Sequence, residues 1–497
     1  MKKSLLVLLT TLLLLTGLFG CKKTEKEGDE PYVLKLNMST LFIVPANEAV
    51  QTVEDEINRY LKEELGETDY VLDLTITSIG DYLQNIPMEL SSPGDDSPDL
   101  IQVFTLAQFV DSGYLVNLDP YLDNELKGAV ELIGNVIGSG KLAGHTYMMP
   151  RYFGTVLDWK WVYDKTLVEA AGVDVSKIND IDSLGDALAE LKKVYPNEYF
   201  LVYCDQFNRL YNFKTHTSVV GNFAATVGES TQLINYYASD AFKSAIEKAY
   251  EFRQKGYADP EGSNNTLSHD AVVMGGSSKG VIMGHSADAP GIARMFTNQN
   301  TYGATFGAVT IGIDDLSTDT LGIGISYTCK HPEYAARFMN LLYTDPYVWL
   351  TLIYGAEGQD YVWNEDRTLV SYPEGLDFNS IPYNCLYSCG MIGNGFQALP
   401  FEGDEGISGS DTEYGKVLME NAWVPPLYGF TPVTTNVMNE VTAVNNVVEQ
   451  YSKVLMYGDV DPAVEYPKFL AALEAAGIDK IISDYQAQVD EWLKANQ

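Results

Sequence analysis

Several stretches of this chain bring together residue types that do chemistry elsewhere. Gly276-Ser277-Ser278-Lys279-Gly280 has the G-x-S-x-G spacing of a serine hydrolase, which needs a strand, a sharp elbow and then a helix. Here the glycines precede the apolar run Val281-Ile282-Met283, which puts the serine at the wrong end of a strand and argues against catalysis. The stretch 401–413, FEGDEGISGSDTE, supplies Glu402, Asp404, Glu405, Asp411 and Glu413. Glycosidases work with two carboxylates about 5 to 9.5 Å apart, and so many glycines could also wrap a calcium ion, although the spacing is not that of an EF-hand. In a chain with 68 acidic residues a chance cluster is the default, so the stretch reads as a solvated loop with calcium as a secondary hypothesis. The five histidines (145, 216, 269, 285, 331) are scattered and no H-E-x-x-H occurs, which disfavours a metalloenzyme. No catalytic residue, metal site or cofactor is expected.

The remaining chemistry is that of binding. The chain carries 33 Tyr, 19 Phe and 6 Trp, an excess of flat apolar faces suited to stacking on ligands. With 32 Lys plus Arg against 68 Asp plus Glu the net charge is −36, which repels nucleic acid and anionic lipid headgroups. Cysteine is sparse: beyond Cys21 only Cys204, Cys329, Cys385 and Cys389 remain. Four cysteines allow three pairings that the sequence does not rank, and free or structural thiols are the simpler reading.

The N-terminus has the parts of a secretory signal: Lys2 and Lys3, then an apolar run from Leu5 to Leu15, too short for the roughly 20 residues of a membrane span. It ends in Leu18-Phe19-Gly20-Cys21, which resembles a bacterial lipobox, where cleavage precedes a cysteine that carries diacylglycerol. Residues 1–20 are therefore expected to be a lipoprotein signal, Cys21 the lipidation site, and 21–31 a flexible polar tether. Such an anchor places the chain on the extracellular face of the cell membrane.

The elements that must position the binding residues follow from periodicity. Leu34, Leu36 and Met38 alternate as a strand; Val50, Val53, Ile57 and Leu61 mark a helical stripe; Leu72, Leu74 and Ile76 alternate again. A helix in 80–90, a loop over 91–98 and a strand at 99–104 complete a βαβ rhythm, the start of an open, mainly parallel sheet with helices on its faces. Trp159 and Trp161 lie on one side of an alternating strand and are expected to be buried.

Residues 98–122 and 140–173 resemble the extracellular solute-binding proteins of carbohydrate uptake, the group that includes maltose-binding protein. The pieces that carry the resemblance come in order: Phe104-Thr105 after a strand, Gly113-x-Leu115-x-x-Leu118, Tyr147-x-x-Pro150, and Tyr163-Asp164-Lys165 opening a helix that ends in Ala171-Gly172. The stretches 279–290, 322–363 and 425–493 continue it, the last matching a C-terminal region of unassigned role found in a sub-group of about 500 residues. The resemblance implies an α/β, two-lobed, periplasmic-binding-protein-like fold with discontinuous lobes joined by hinge crossings near 150–153, 317–322 and 355–375. The implied division is 32–150 with 322–360 as the N-terminal lobe, 151–321 with 361–425 as the C-terminal lobe, and 426–497 as a helical region packing on the lobes.

In such a fold the ligand sits at strand C-termini between the lobes. By position the candidates are Phe42, Phe104 and Thr105 from the first lobe and Arg151 and Tyr152 from the crossing. His285 and Ser286 enter by resemblance to a loop that carries a tryptophan in maltose-binding protein; that tryptophan is absent here, so another aromatic supplies the platform. Asn394, Phe396 and Gln397 enter by resemblance to a Gly-Asn-Gln-Phe stretch of the sub-group. The function implied is a lipid-anchored, monomeric receptor that captures an oligosaccharide by hinge closure and hands it to the permease of an ABC importer, making and breaking no bonds. Two alternatives stand beside it: a secreted glycoside-active enzyme, which requires paired cleft carboxylates, and a binding or sensor lipoprotein for a non-sugar solute such as a peptide.

Overall fold

The computed structural model describes residues 30–40, 43–153, 156–202, 215–219, 223–260, 278–286, 306–310, 315–316, 321–377, 379–385, 391–399, 402 and 422–495. The signal, Cys21, most of the tether, Phe42, Cys204, Cys389 and the 403–413 cluster lie outside them. β1 (Tyr32–Thr40), α1 (Asn47–Glu63), β2 (Tyr70–Ser78), α2 (Ile79–Ser91) and β3 (Leu100–Val103) follow one another as the periodicity requires. β1 lies parallel to both β2 and β3. Leu34, Leu36 and Met38 of β1 share a core with Val50, Val53, Ile57 and Leu61 of α1, because alternate residues of a strand and every third or fourth residue of a helix fall on one face. The opposite face is covered by Tyr82, Ile86 and Leu90 of α2, packed with Ile101 and Val103.

The chain then runs through β4 (Met149–Pro150) into β5 (Val156–Asp164). The helices α3 (Ile181–Val194) and α4 (Asp240–Gln254) precede β6 (Gly280–Ser286), β7 (Phe306–Thr310) and β8 (Asp315–Leu316). It returns at β9 (Gly322–Ile325). The first sheet has the order β2-β1-β3-β9-β4, with β9 antiparallel to both of its neighbours. In the second sheet β6 and β7 flank β5 and β8 extends the β7 side, all antiparallel to β5. The mainly parallel pattern expected of each lobe thus holds for β2-β1-β3 but not for the described ladders around β5. There, strands that head back to the crossing run against the strand that leaves it.

Two cores result. The first combines β1 to β3 and β9 with α5 (Pro332–Thr344) and α6 (Pro346–Tyr354). The second gathers Trp161, α3 and α4 with three C-terminal helices, α7 (Met438–Met456), α8 (Pro462–Ala476) and α9 (Ile478–Ala495). Trp161 is fully buried and its indole N–H donates to the Phe200 carbonyl at 2.9 Å; the side chain of Trp159 lies outside the described ones.

The chain leaves the first sheet after Pro150 and joins the second at Val156, and it leaves the second after Leu316 and rejoins the first at Gly322. The third passage lies elsewhere than expected. Tyr361, Val370, Ile381, Tyr383, Cys385 and Ile392 all pack in the first core, so 361–399 does not belong to the second lobe and the chain does not cross at 355–375. The reason is local: buried Asp360 accepts N–H bonds from Ala356 and Tyr383, at 2.8 and 3.0 Å, and pins this loop-rich stretch to the end of α6. Glu402 N–H still donates to the Val370 carbonyl at 2.7 Å, whereas the Trp423 indole donates to Glu229 of the second lobe at 2.9 Å and Leu427 is in the second core, so the chain changes lobes between 402 and 423.

Candidate functional site

The crossing at 151–153 is held on two sides. Arg151 N–H donates to the Leu321 carbonyl at 2.9 Å, and Tyr152 N–H donates to the Gly393 carbonyl at 2.8 Å. The second bond brings the 391–397 turn against the crossing, and with it three residues singled out from the sequence. Phe396 meets Tyr152 edge-to-face with ring centroids 5.2 Å apart, and Phe153 at 4.9 Å with rings perpendicular, a geometry that the ring quadrupoles favour. Arg151, Tyr152, Phe396 and Gln397 are all partly exposed. Gly395 has to be glycine, since a Cβ there would lie 2.5 Å from Phe153 Cβ.

Asn394 and Gln397 are committed in part to the scaffold. Asn394 caps the short turn Gly395–Gln397 by accepting from Phe396 N–H at 3.1 Å and donates to the Tyr343 carbonyl at 3.3 Å. Gln397 Nε2 donates to the Leu342 carbonyl, also at 3.3 Å. Both residues line an open groove of about 580 Å³ together with Gly128, Glu131, Leu132, Tyr343, Thr344 and Pro346. Tyr343 is buried, and its hydroxyl lies between the Met149 and Pro150 carbonyls at 2.9 and 2.8 Å. Burial drives its pKa far above the ordinary phenol value, so it stays a neutral donor.

Phe104 and Thr105 stand where β3 ends, Phe104 partly buried against Tyr82 with centroids 5.9 Å apart and Thr105 exposed. The strand end is tied from below: buried Gln102 accepts at Oε1 from both the amide and the hydroxyl of Ser39, each at 2.7 Å. His285 and Ser286 lie at the end of β6, in register with Asp158 and Leu157 of β5; their side chains, like Phe42, are outside the described residues. The structure therefore brings together Arg151, Tyr152, Asn394, Phe396 and Gln397 at the crossing, and sets Phe104 and Thr105 at the end of a strand of the first sheet. Phe153 and Tyr343, which sequence reasoning left out of the site, complete the crossing cluster. Phe153 could have been found by its place beside Tyr152 at the crossing, whereas Tyr343 gives no signal within an apolar helical stripe.

Ser278, the serine of the G-x-S-x-G spacing, is buried and its hydroxyl is spent on the Gly280 carbonyl at 2.7 Å, immediately before β6 begins. Among the described residues no group of three or more His, Cys, Asp or Glu side chains could hold a metal ion. Cys329 and Cys385 are unbridged and buried, and burial pushes the Cys385 thiol up to about 12, the opposite of a reactive cysteine. No helix among the described residues is long and apolar enough to cross a membrane.

Residues 50–349 match the family described as bacterial extracellular solute-binding protein, and residues 426–494 match a domain of unknown function. A carbohydrate ABC transporter substrate-binding protein of Streptococcus pneumoniae serotype 4 (strain ATCC BAA-334 / TIGR4) is 22% identical over 485 residues, covering 97% of this chain and 94% of that protein. Among solved structures, the N-glycan transport solute-binding protein NgtS from Streptococcus pneumoniae aligns with a TM-score of 0.77 at 20% identity, over 94% of this chain and 100% of that one. The same protein in complex with Man1GlcNAc aligns at 0.68 and 21% identity, over 93% and 99% of the two chains. The family match spans well over half of the sequence, and the two-lobed α/β fold is that of these structures. This chain belongs to the bacterial extracellular solute-binding protein family.

Proposed function

We propose that this protein is the receptor of an ABC importer for an oligosaccharide, anchored by a lipid on Cys21 at the extracellular face of the membrane. The observation that carries this reading is the correspondence of fold over nearly the whole chain, C-terminal region included, with a relative solved in complex with mannose-containing glycans. Its own residues are consistent with that ligand class. Tyr152 and Phe396 offer flat rings for the C–H faces of sugars, and Arg151, Thr105 and the amides of Asn394 and Gln397 offer polar groups for hydroxyls.

Mechanistically, the open form presents half-sites on two lobes and the ligand favours the arrangement in which both contact it. The reading includes a monomer that performs no catalysis. It is tested by a thermal-shift screen of residues 22–497 against mannose-containing and other oligosaccharides, with product analysis on each hit. At a hundredfold excess over Kd a ligand stabilises by about 2.7 kcal/mol. A saturable shift with the glycan recovered intact supports the receptor, whereas cleaved glycan overturns it, and so does silence to glycans with a response to peptides.

A further inference from the structure

The region matched by the domain of unknown function opens with the segment Pro425–Phe430, and this segment touches both lobes. Leu427 and Phe430 are buried in the second core, where Phe430 meets Trp492 of α9 with centroids 5.8 Å apart. Between them, Tyr428 and Gly429 lie on the first lobe. A Cβ on Gly138 would stand 3.2 and 3.3 Å from the Tyr428 ring and 3.6 Å from Gly429 Cα, and the Tyr428 hydroxyl donates to the Val136 carbonyl at 3.4 Å. Gly429, with φ of +86°, would carry a Cβ only 3.0 Å from the Gly138 carbonyl oxygen. The two backbones are in contact because neither residue has a side chain.

The turn that receives this segment, Gly134–Gly140, also packs against β4, from which the first crossing leaves and beside which β9 returns from the second. A Cβ on Gly140 would collide with the Met148 carbonyl and lie 3.2 Å from Pro150, and one on Gly322 would collide with the Met149 carbonyl and lie 2.8 Å from Pro150 Cα. Pro150 leads into the crossing at 151–155, and Gly322 receives the one at 317–321. The described flanks of two crossings and the Tyr428–Gly429 contact therefore lie along one glycine-lined stretch of the first lobe. Behind Pro425–Phe430, α9 grips the chain: Gln488 accepts from Val433 N–H and donates to the Val433 carbonyl, at 2.8 and 2.9 Å, and its amide is held in turn by Asp484 at 2.7 Å.

We propose that the C-terminal region braces the hinge, and that the Gly138–Gly429 contact with the Tyr428 ring over it is the pivot about which the lobes turn. The helices α7 to α9 give Pro425–Phe430 a rigid footing on the second lobe, and the missing side chains let it bear on the first at backbone distance. The inference rests on the reading of the protein as a hinge-closing receptor, but its test needs no ligand.

Donor and acceptor dyes at Lys62 on the first lobe and Lys193 on the second, introduced as unnatural amino acids so that native cysteines are untouched, report the interlobe distance in single molecules. The ligand-free distribution of Tyr428→Ala should be clearly broader than wild type, and Gly138→Val, which forces the ring off the turn, should shift it. The double variant should deviate less than the sum of the two, because removing the ring relieves the clash. Gln488→Ala, which frees the footing and leaves both cores intact, should broaden the distribution to a lesser degree. A control, Lys468→Ala on the outer face of α8, should leave it unchanged. Folded variants, judged by circular dichroism and a single unfolding transition, whose distributions all match wild type overturn the pivot whether or not a glycan is ever found. An undetected glycan with broadened distributions overturns only the ligand reading.

Discussion

Asp180 illustrates how single side chains fix the ends of elements here. Its carboxylate accepts from Ser183 N–H at 2.8 Å while Asp180 N–H donates to the Ser183 hydroxyl at 3.1 Å, a reciprocal cap at the start of α3. The hydrogen bond from the Ser183 hydroxyl, then that from the Ser183 backbone, holds the Asp180 pKa below the ordinary aspartate value. A depressed carboxyl pKa contributes stability that is complete above the unfolded value and lost as pH falls through the folded one. Asp180→Ala should therefore cost about 1 kcal/mol at neutral pH, with the difference from wild type shrinking in acid, as urea titrations at several pH values would read. At the crossing, Phe396→Ala removes the ring that meets both Tyr152 and Phe153. Calorimetry against a glycan hit should find at least a tenfold loss of affinity, about 1.4 kcal/mol, alongside a lowered Tm. Arg151→Met, which keeps the stem and removes the charge, should weaken binding of the same glycan in calorimetry. Residues such as Phe104 and Tyr152 were legible as site candidates because strand ends and crossings are places a sequence pattern marks. Tyr343, buried with its hydroxyl between two hinge carbonyls, was not, because at that position a sequence displays only apolar helical spacing.

Elements with a clean period were the easiest to read, and those held by particular contacts were the hardest. β1, α1, β2 and α2 follow from alternation and from a buried stripe of Val50, Val53, Ile57 and Leu61. Among its described residues the stretch 361–399 has two short strands, Val362–Trp363 and Val370–Ser371, and its place on the first core is set by Asp360 and by burial of Tyr383. No periodicity encodes such a pin, which is why this stretch was expected on the wrong lobe. The contact of α4 with the turn after α7 is of the same kind. Gly458 has φ of +67°, and a Cβ there would lie 2.5 Å from the Ala249 carbonyl oxygen. Beside it Arg253 pairs with Asp459 at 2.8 Å, both largely buried. Gly458→Ala should destabilise by more than about 1 kcal/mol, since backbone strain and displacement of α4 add, and the loss should appear as a lower midpoint in urea with an unchanged slope.

At the scale of the whole molecule, the second core depends on the C-terminal helices. Val444, Leu455, Phe469, Leu473, Ile481, Tyr485 and Val489 are buried in it beside Trp161 and Phe242, so α7 to α9 form a wall of that lobe. A chain ended at residue 424 should bind a hydrophobic dye and lose its cooperative unfolding transition, as a lobe with one face uncovered does; a truncated chain that unfolds cooperatively with no dye binding would show this wall to be dispensable. The first sheet is closed in a comparable way, because β9, which follows the whole second sheet in sequence, lies between β3 and β4. Folding order is thereby constrained. A chain emerging from its N-terminus cannot finish the first sheet before Ile325 has been made, nor the second core before Val489. Both closures join residues far apart in sequence, the kind of contact that folds slowly. The topology thus keeps a growing chain from sealing either lobe early, and a polypeptide that must be threaded across a membrane before it folds gains time from that delay.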